Sequence, residues 1–194
     1  MPSPARALLD ANVLYSNHLR NLLLQMAQND LFEARWSALI EQEWLRNMMP
    51  AVRDRIEART IPLIRAAFPD VLVADFDPDR SVGTTHPGDC HVASAAITSA
   101  PCALVTNNLR HFDAKALNLL GVALQTPDAF LTELFDSRPD VVDAATRDAA
   151  ANLTKTLPSW DEYVEILASR CSLPTFAARL RSFRTNSSSD AQET

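Results

Sequence analysis

Over the first 126 residues, short apolar runs alternate with longer stretches whose apolar positions recur every three or four residues. Ala7-Leu8-Leu9 is the first run and ends on Asp10-Ala11-Asn12, after which Val13 and Leu14 lead into Leu19, Leu22, Leu23 and Met26 at helical spacing. Ser37 predicts the N-cap of a second helix in which Ile40, Trp44 and Met48 form an apolar stripe. A further helical pattern runs from Val52 to Phe68, with a kink or break expected at Pro62. Val71-Leu72-Val73, Cys102-Ala103-Leu104-Val105 and Val122-Ala123-Leu124-Gln125 read as strands. A helix opening at Asp89 and stopped by Pro101 precedes the middle one, and a helix from Ala114 to Leu120, stopped at Gly121, precedes the last. Unbroken apolar runs of this length are the pattern of strands covered on both faces, so the fold class expected is α/β, a three-layer sandwich around a central, mostly parallel sheet.

Beyond Thr126 the pattern is helical throughout. Thr126-Pro127-Asp128 is a cap followed by a first-turn proline and acid, Ser159-Trp160-Asp161-Glu162 is a capping box, and Pro139 and Pro174 mark two more helix starts. Leu153, Leu157, Trp160, Tyr163, Val164, Leu167, Phe176 and Leu180 make an apolar surface too large to leave in water. The expected division is therefore 1–126 as one α/β domain and 127–185 as a C-terminal helical extension, which packs on that domain and helps to form a partner surface. The polar, serine-rich stretch 186–194 is expected to be a disordered tail.

With 194 residues, 47% of them hydrophobic, the chain can bury one substantial core. A net charge of -6 argues against a general coat for nucleic acid. Arg46, Arg53, Arg55, Arg59 and Arg65 cluster locally, but a solvated face with ion pairs to Asp54 and Glu57 accounts for them. Cys90, Cys102 and Cys171 fit neither a disulfide framework nor a zinc pattern, which suits a reducing, cytoplasmic setting. No membrane span is expected, and Met1 to Arg6 is too short and polar for a secretion signal.

Alternating strands and helices carry Asp10, one of Glu41 or Glu43, Asp89 and Asn108 toward the strand-end edge of the sheet, where open α/β sheets bind ligands. Periodicity alone leaves the choice between Glu41 and Glu43 open. Taken singly, Asp10 could cap the next helix and Asp89 could be a first-turn acid favoured by the helix dipole. Jointly, clustered carboxylates repel one another unless a cation shares them, and oxygen ligands without cysteine select Mg2+ or Mn2+. An ion so held activates water and stabilises a phosphoryl oxygen, which is the chemistry of phosphodiester hydrolysis. Asp75, Asp77 and Asp79 begin like a calcium loop, but the glycine and glutamate that loop needs do not follow. A phosphatase of the Asp-x-Asp type is disfavoured, because Asp10-Ala11-Asn12 lacks the second acid.

Leu8-Leu9-Asp10-Ala11-Asn12-Val13-Leu14-Tyr15-Ser16 resembles the opening of the PIN-domain nucleases, and within them of the toxins of VapBC-type toxin-antitoxin pairs. Glu43-Trp44-Leu45-Arg46-Asn47-Met48 is similar to the helix carrying their second acid. His86-Pro87-Gly88-Asp89-Cys90-His91-Val92 and Leu104-Val105-Thr106-Asn107-Asn108-Leu109-Arg110-His111-Phe112 resemble the most specific stretch of one PIN branch. That branch usually carries acid-Pro-acid-acid-Arg-His-Val, so His86, Gly88 and Cys90 depart from it and remove two acids and a base. Leu157-Pro158-Ser159-Trp160-Asp161-Glu162-Tyr163 and Leu173-Pro174-Thr175-Phe176 resemble an extension found on some of its members.

The resemblance implies a metal-dependent endoribonuclease toxin. Asp10, Glu43 and Asp89 would be the ligands of Mg2+ or Mn2+, with Asn108 completing the catalytic set at a position that is Asp in many relatives. Asn12, Thr106, His86 and Asp113 are candidates for the surrounding shell, and Arg46 and Arg110 for contact with substrate. His91 reads as a helix-surface or packing residue. The partners implied are RNA and a cognate antitoxin, with room for a homodimer. The alternative is a degenerate PIN fold kept as a non-catalytic binding or regulatory module, with Gly88 and Asn108 as signs of decay.

Overall fold

A computed structural model describes residues 5–153 and 158–190 of the chain. Leu157, the first four residues of the stretch read against a secretion signal, and the last four of the expected tail lie outside them. The described residues form two compact units, one of residues up to 17 together with 32–126, the other of 18–31 together with 127 onward.

The first unit contains strands β1 (Ala5–Leu9), β2 (Phe32–Ser37), β3 (Leu72–Val73), β4 (Cys102–Val105) and β5 (Val122–Gln125). They form one sheet in the order β3-β2-β1-β4-β5, parallel throughout. β1 is central, paired to β2 through Leu8 with Arg35 and to β4 through Leu9 with Val105. Leu8, Leu9, Leu104 and Val105 are fully buried, as the unbroken apolar runs require.

β2 is a correction to the sequence reading, which placed no strand there. Phe32, Ala34 and Trp36 are buried while Glu33 and Arg35 between them are partly exposed. Glu33 accepts hydrogen bonds from Arg6 at 3.0 Å and Arg35 at 3.1 Å, which lets charged positions sit within the strand and holds its carboxyl below the ordinary value. Its signal is therefore alternation, which a search for continuous apolar runs passes over.

Helices of this unit are α1 (Ala11–Leu14), with α2 (Asn17–Gln28) leaving it for the second unit, then α3 (Ala38–Arg46), α4 (Pro50–Arg55), α5 (Ile61–Ala67), α6 (Cys90–Thr98) and α7 (Ala114–Leu119). Ser37 caps α3 as expected, its hydroxyl accepting from the Ile40 N–H. Pro62 does not break the chain. A π-helical stretch, Ile56–Thr60, joins α4 to α5, and its wider turn accommodates a proline that cannot donate back along the helix. α6 buries Cys90, Val92, Ala93, Ser94, Ala95 and Ala96, so small side chains let it lie close to β4. Burial also pushes the Cys102 thiol up to about 11, which leaves it protonated and unreactive.

The second unit holds α2 with α8 (Pro127–Ser137), α9 (Pro139–Ala151), α10 (Trp160–Ser169) and α11 (Pro174–Asp190). The Ser159–Glu162 capping box is present. Asp128 accepts from the Thr175 and Phe176 N–H groups at 3.2 and 2.9 Å, so a first-turn acid of α8 caps the start of α11. Tyr163, Val164, Leu167, Phe176 and Leu180 are buried, and Phe135 meets Phe176 and Phe183 edge-on. α11 extends to Asp190, five residues into the stretch expected to be disordered. Among the described residues, no helix is long and apolar enough to cross a membrane.

Candidate active site

Asp10 is the residue at which β1 ends and α1 begins. It is 3% exposed, and each of its oxygens is engaged. Oδ1 accepts the Ala11 N–H at 2.6 Å, making Asp10 the N-cap of α1. Oδ2 accepts from Asn12 Nδ2 at 2.5 Å and from Thr106 Oγ1 at 2.6 Å. Thr106, at the end of β4 and wholly buried, donates one hydrogen bond to Asp10 and accepts two, from Asn12 Nδ2 and from the Asn108 N–H, both at 3.0 Å. Asn12 then accepts the Asn107 N–H at 3.0 Å. The paired ends of two neighbouring strands are thus joined by a closed polar network in which a single buried hydroxyl serves three groups.

Burial raises the Asp10 carboxyl above its ordinary value. The hydrogen bonds from Thr106 and Ala11 oppose that rise, and the negative charges of Glu43 and Asp89 add to it. Three of the expected acids therefore share one electrostatic field. Glu41 does not join them: its oxygens accept from Trp36 Nε1 at 3.2 Å and from Arg65 Nη2 at 2.5 Å, a buried structural pair that holds α3 to β2 and α5. Two residues on, Glu43 faces the site side of α3.

Imidazoles stand against the other two acids. His91 Nε2 lies 3.4 Å from Glu43 Oε2. His111 Nδ1 and His86 Nδ1 lie 3.2 and 3.3 Å from the same oxygen of Asp89. His86 Nδ1 also accepts the Gly88 N–H at 3.1 Å, so it presents a lone pair and His111 is the one that donates to Asp89. His111 and His91 are the residues that sequence reasoning missed as parts of the site. His91 carried a usable signal, because it stands two residues beyond Asp89 in the same motif.

Asn108 is placed by its backbone hydrogen bond to Thr106, next to Arg110, which is exposed on the short helical turn Leu109–His111. Arg46 is exposed in the last turn of α3. Asp113 belongs elsewhere: it caps α7 through Ala116 and accepts from Thr84, bonds that lower its carboxyl, and a Cβ added at Gly83 would fall 2.2 Å from its Oδ2.

A buried carboxylate repelled by two others is what a hard divalent cation relieves, and oxygen donors of this kind suit Mg2+ or Mn2+. The donor chemistry fits. The spacing is looser, since among the described residues no three His, Cys, Asp or Glu side chains converge closely enough to hold an ion.

No curated protein and no solved structure matches the chain. Residues 127–182 match the family described as the VapC50 C-terminal domain, which spans α8 to α11 and coincides with the helical extension. The helical segment 127–182 is thus similar to a VapC50 C-terminal domain, and the all-parallel sheet of the first unit fits a PIN-like fold.

Proposed function

We propose that the protein is a divalent-metal-dependent endoribonuclease, the toxin of a type II toxin-antitoxin pair. The observation that carries this reading is the placement of Asp10: buried at the end of the central strand, held by Thr106 of the next strand, and in the field of Glu43 and Asp89. The VapC50-type domain supports the toxin assignment and the expectation of an antitoxin partner. Asp10, Glu43 and Asp89 would hold Mg2+ or Mn2+, with Asn108 beside them. When bound, such an ion activates water and stabilises charge on a phosphoryl oxygen.

The protein's own groups set up that chemistry. Thr106 and Asn12 fix the Asp10 carboxylate by hydrogen bonds, His111 orients Asp89, and His91 stands against Glu43. Arg46 and Arg110 are exposed cations for the RNA backbone, which the net negative charge would otherwise repel.

The test is cleavage of total RNA with and without Mn2+, comparing the parent with Asp10→Asn and Asp89→Asn. Metal-dependent cleavage that both substitutions abolish is the expected result; an Asp89→Asn protein that cuts as fast as the parent overturns the ligand assignment. A second reading, a degenerate fold acting as a binding module, draws support from Asn108 and from the loose spacing of the acids. Absence of Mn2+ binding by calorimetry would favour it.

A further inference from the structure

We infer that the cleft flanking Glu43 is a nucleobase subsite, in which the Tyr15 ring stacks on one unpaired base of single-stranded RNA and Asn47 pairs with that base's edge. The inference rests on the ribonuclease reading and names the part of the substrate that this side of the site takes. The cleft has a volume of about 290 Å³ and is lined by Ala11, Asn12, Tyr15, Glu43, Trp44 and Asn47. It is joined to the acid network directly, because Asn12 forms part of its wall and also donates to Asp10.

Tyr15 closes α1, its N–H bonded to the Ala11 carbonyl at 2.9 Å, and its side chain is 50% exposed. A large aromatic ring left half in water at the mouth of a cleft is a surface on which a flat ring can stack. Trp44, 1% exposed, is a fixed part of the lining. No Lys or Arg lines the cleft and one carboxylate does, so a phosphate is repelled where a neutral base is accepted.

The polar groups divide in the same way. The Asn12 amide is consumed by Asp10, Thr106 and Asn107. Asn47 is exposed and its side chain has no hydrogen-bond partner among the described residues, leaving a donor and an acceptor for the edge of a base. Arg46, the preceding residue, supplies a cation for the adjoining phosphate. The volume falls just below the ~300–1,000 Å³ typical of sites for larger ligands, which suits one base. A base within a duplex has both faces stacked and cannot enter, so the subsite selects unpaired RNA.

The test uses single-stranded oligoribonucleotides containing 2-aminopurine, titrated with Mn2+ present into full-length Asp10→Asn protein so that the RNA is not cut. Emission should be quenched on binding at one position of the oligonucleotide. Adding Tyr15→Leu should weaken binding roughly ten-fold and remove the quenching, as the loss of one stacked base predicts. Tyr15→Phe should restore both, and an abasic nucleotide at the quenched position should lose affinity only against chains that retain the aromatic ring. In the otherwise unmodified protein, Tyr15→Leu should raise KM for single-stranded RNA with kcat little changed. Cleavage by the parent with a KM that Tyr15→Leu leaves unmoved overturns the subsite and leaves the ribonuclease reading standing. Quenching that depends on Tyr15, in a parent protein that cuts no RNA, supports the subsite and overturns that reading. A duplex that binds as well as the single strand overturns the subsite.

Discussion

Thr106 Oγ1 donates to Asp10 Oδ2 at 2.6 Å, across 96 positions of sequence, and is one of the contacts by which the ends of β1 and β4 share one polar network. It makes Thr106 a positioning residue, since it acts on the site through the carboxylate it holds. Replacement by Val keeps the shape and removes the hydroxyl, taking one partner from each of Asp10, Asn12 and the Asn108 N–H. A loss of about 1–3 kcal/mol is expected by urea denaturation. Thr106→Ser should recover most of it. Because the Thr106 hydrogen bond lowers the Asp10 carboxyl, its removal should also move the acid limb of the cleavage pH profile upward. An unmoved limb would show that Asp10 does not control it.

Asp10 itself should leave a signature in stability against pH. Burial and the neighbouring Glu43 and Asp89 hold its carboxyl above the ordinary 3.8. The folded form therefore keeps its proton to higher pH than the unfolded chain does. The stability from that preference is complete below the unfolded value and is lost as the pH rises through the folded one. Asp10→Asn cannot ionise, so its melting temperature should gain on the parent's as the pH rises above 3.8 and through the raised folded value. Parallel curves in calorimetry would contradict the raised value.

Glu41 and Glu43, two residues apart on α3, should separate cleanly. Glu41→Ala leaves Trp36 and Arg65 without their acceptor and should cost about 2 kcal/mol while RNA cleavage persists in the folded fraction. Glu43→Ala should retain the parent's melting temperature within a few degrees and lose Mn2+ binding and cleavage. Equal or larger loss of metal affinity at Glu41 would reverse the assignment.

Asn108→Asp replaces a neutral oxygen with a charged one on the strand-end segment that Thr106 ties to Asp10. It should tighten Mn2+ binding measured by calorimetry at neutral pH, without necessarily raising kcat. An unchanged affinity would place this side chain away from the ion.

The sheet was legible in the sequence to the extent that its strands are continuous apolar runs: β1, β3, β4 and β5 announce themselves this way. β2 does not, since Glu33 and Arg35 interrupt it, and the ion pairs that tolerate them involve Arg6 of a different strand. In the site, the convergence of Asp10 and Thr106 on one edge followed from strand-helix alternation. What separates Glu41 from Glu43 is instead set by Trp36 and Arg65, partners that helical spacing cannot name. His86 was named among the candidates, but that His111 meets Asp89 and His91 meets Glu43 was not, because a lone histidine in a sequence does not say which carboxylate it will meet.

The central position of β1 governs when the site can exist during synthesis. One of its two flanking strands, β2, follows within some thirty residues, but the other, β4, begins only at Cys102. Until the ribosome has passed Asn108, Asp10 has neither the Thr106 hydroxyl nor the Asn107 backbone on the far side of its network. A nascent chain therefore cannot assemble the acid cluster piecemeal, and fragments released before that point carry the first acid without the hydroxyl that holds it in place.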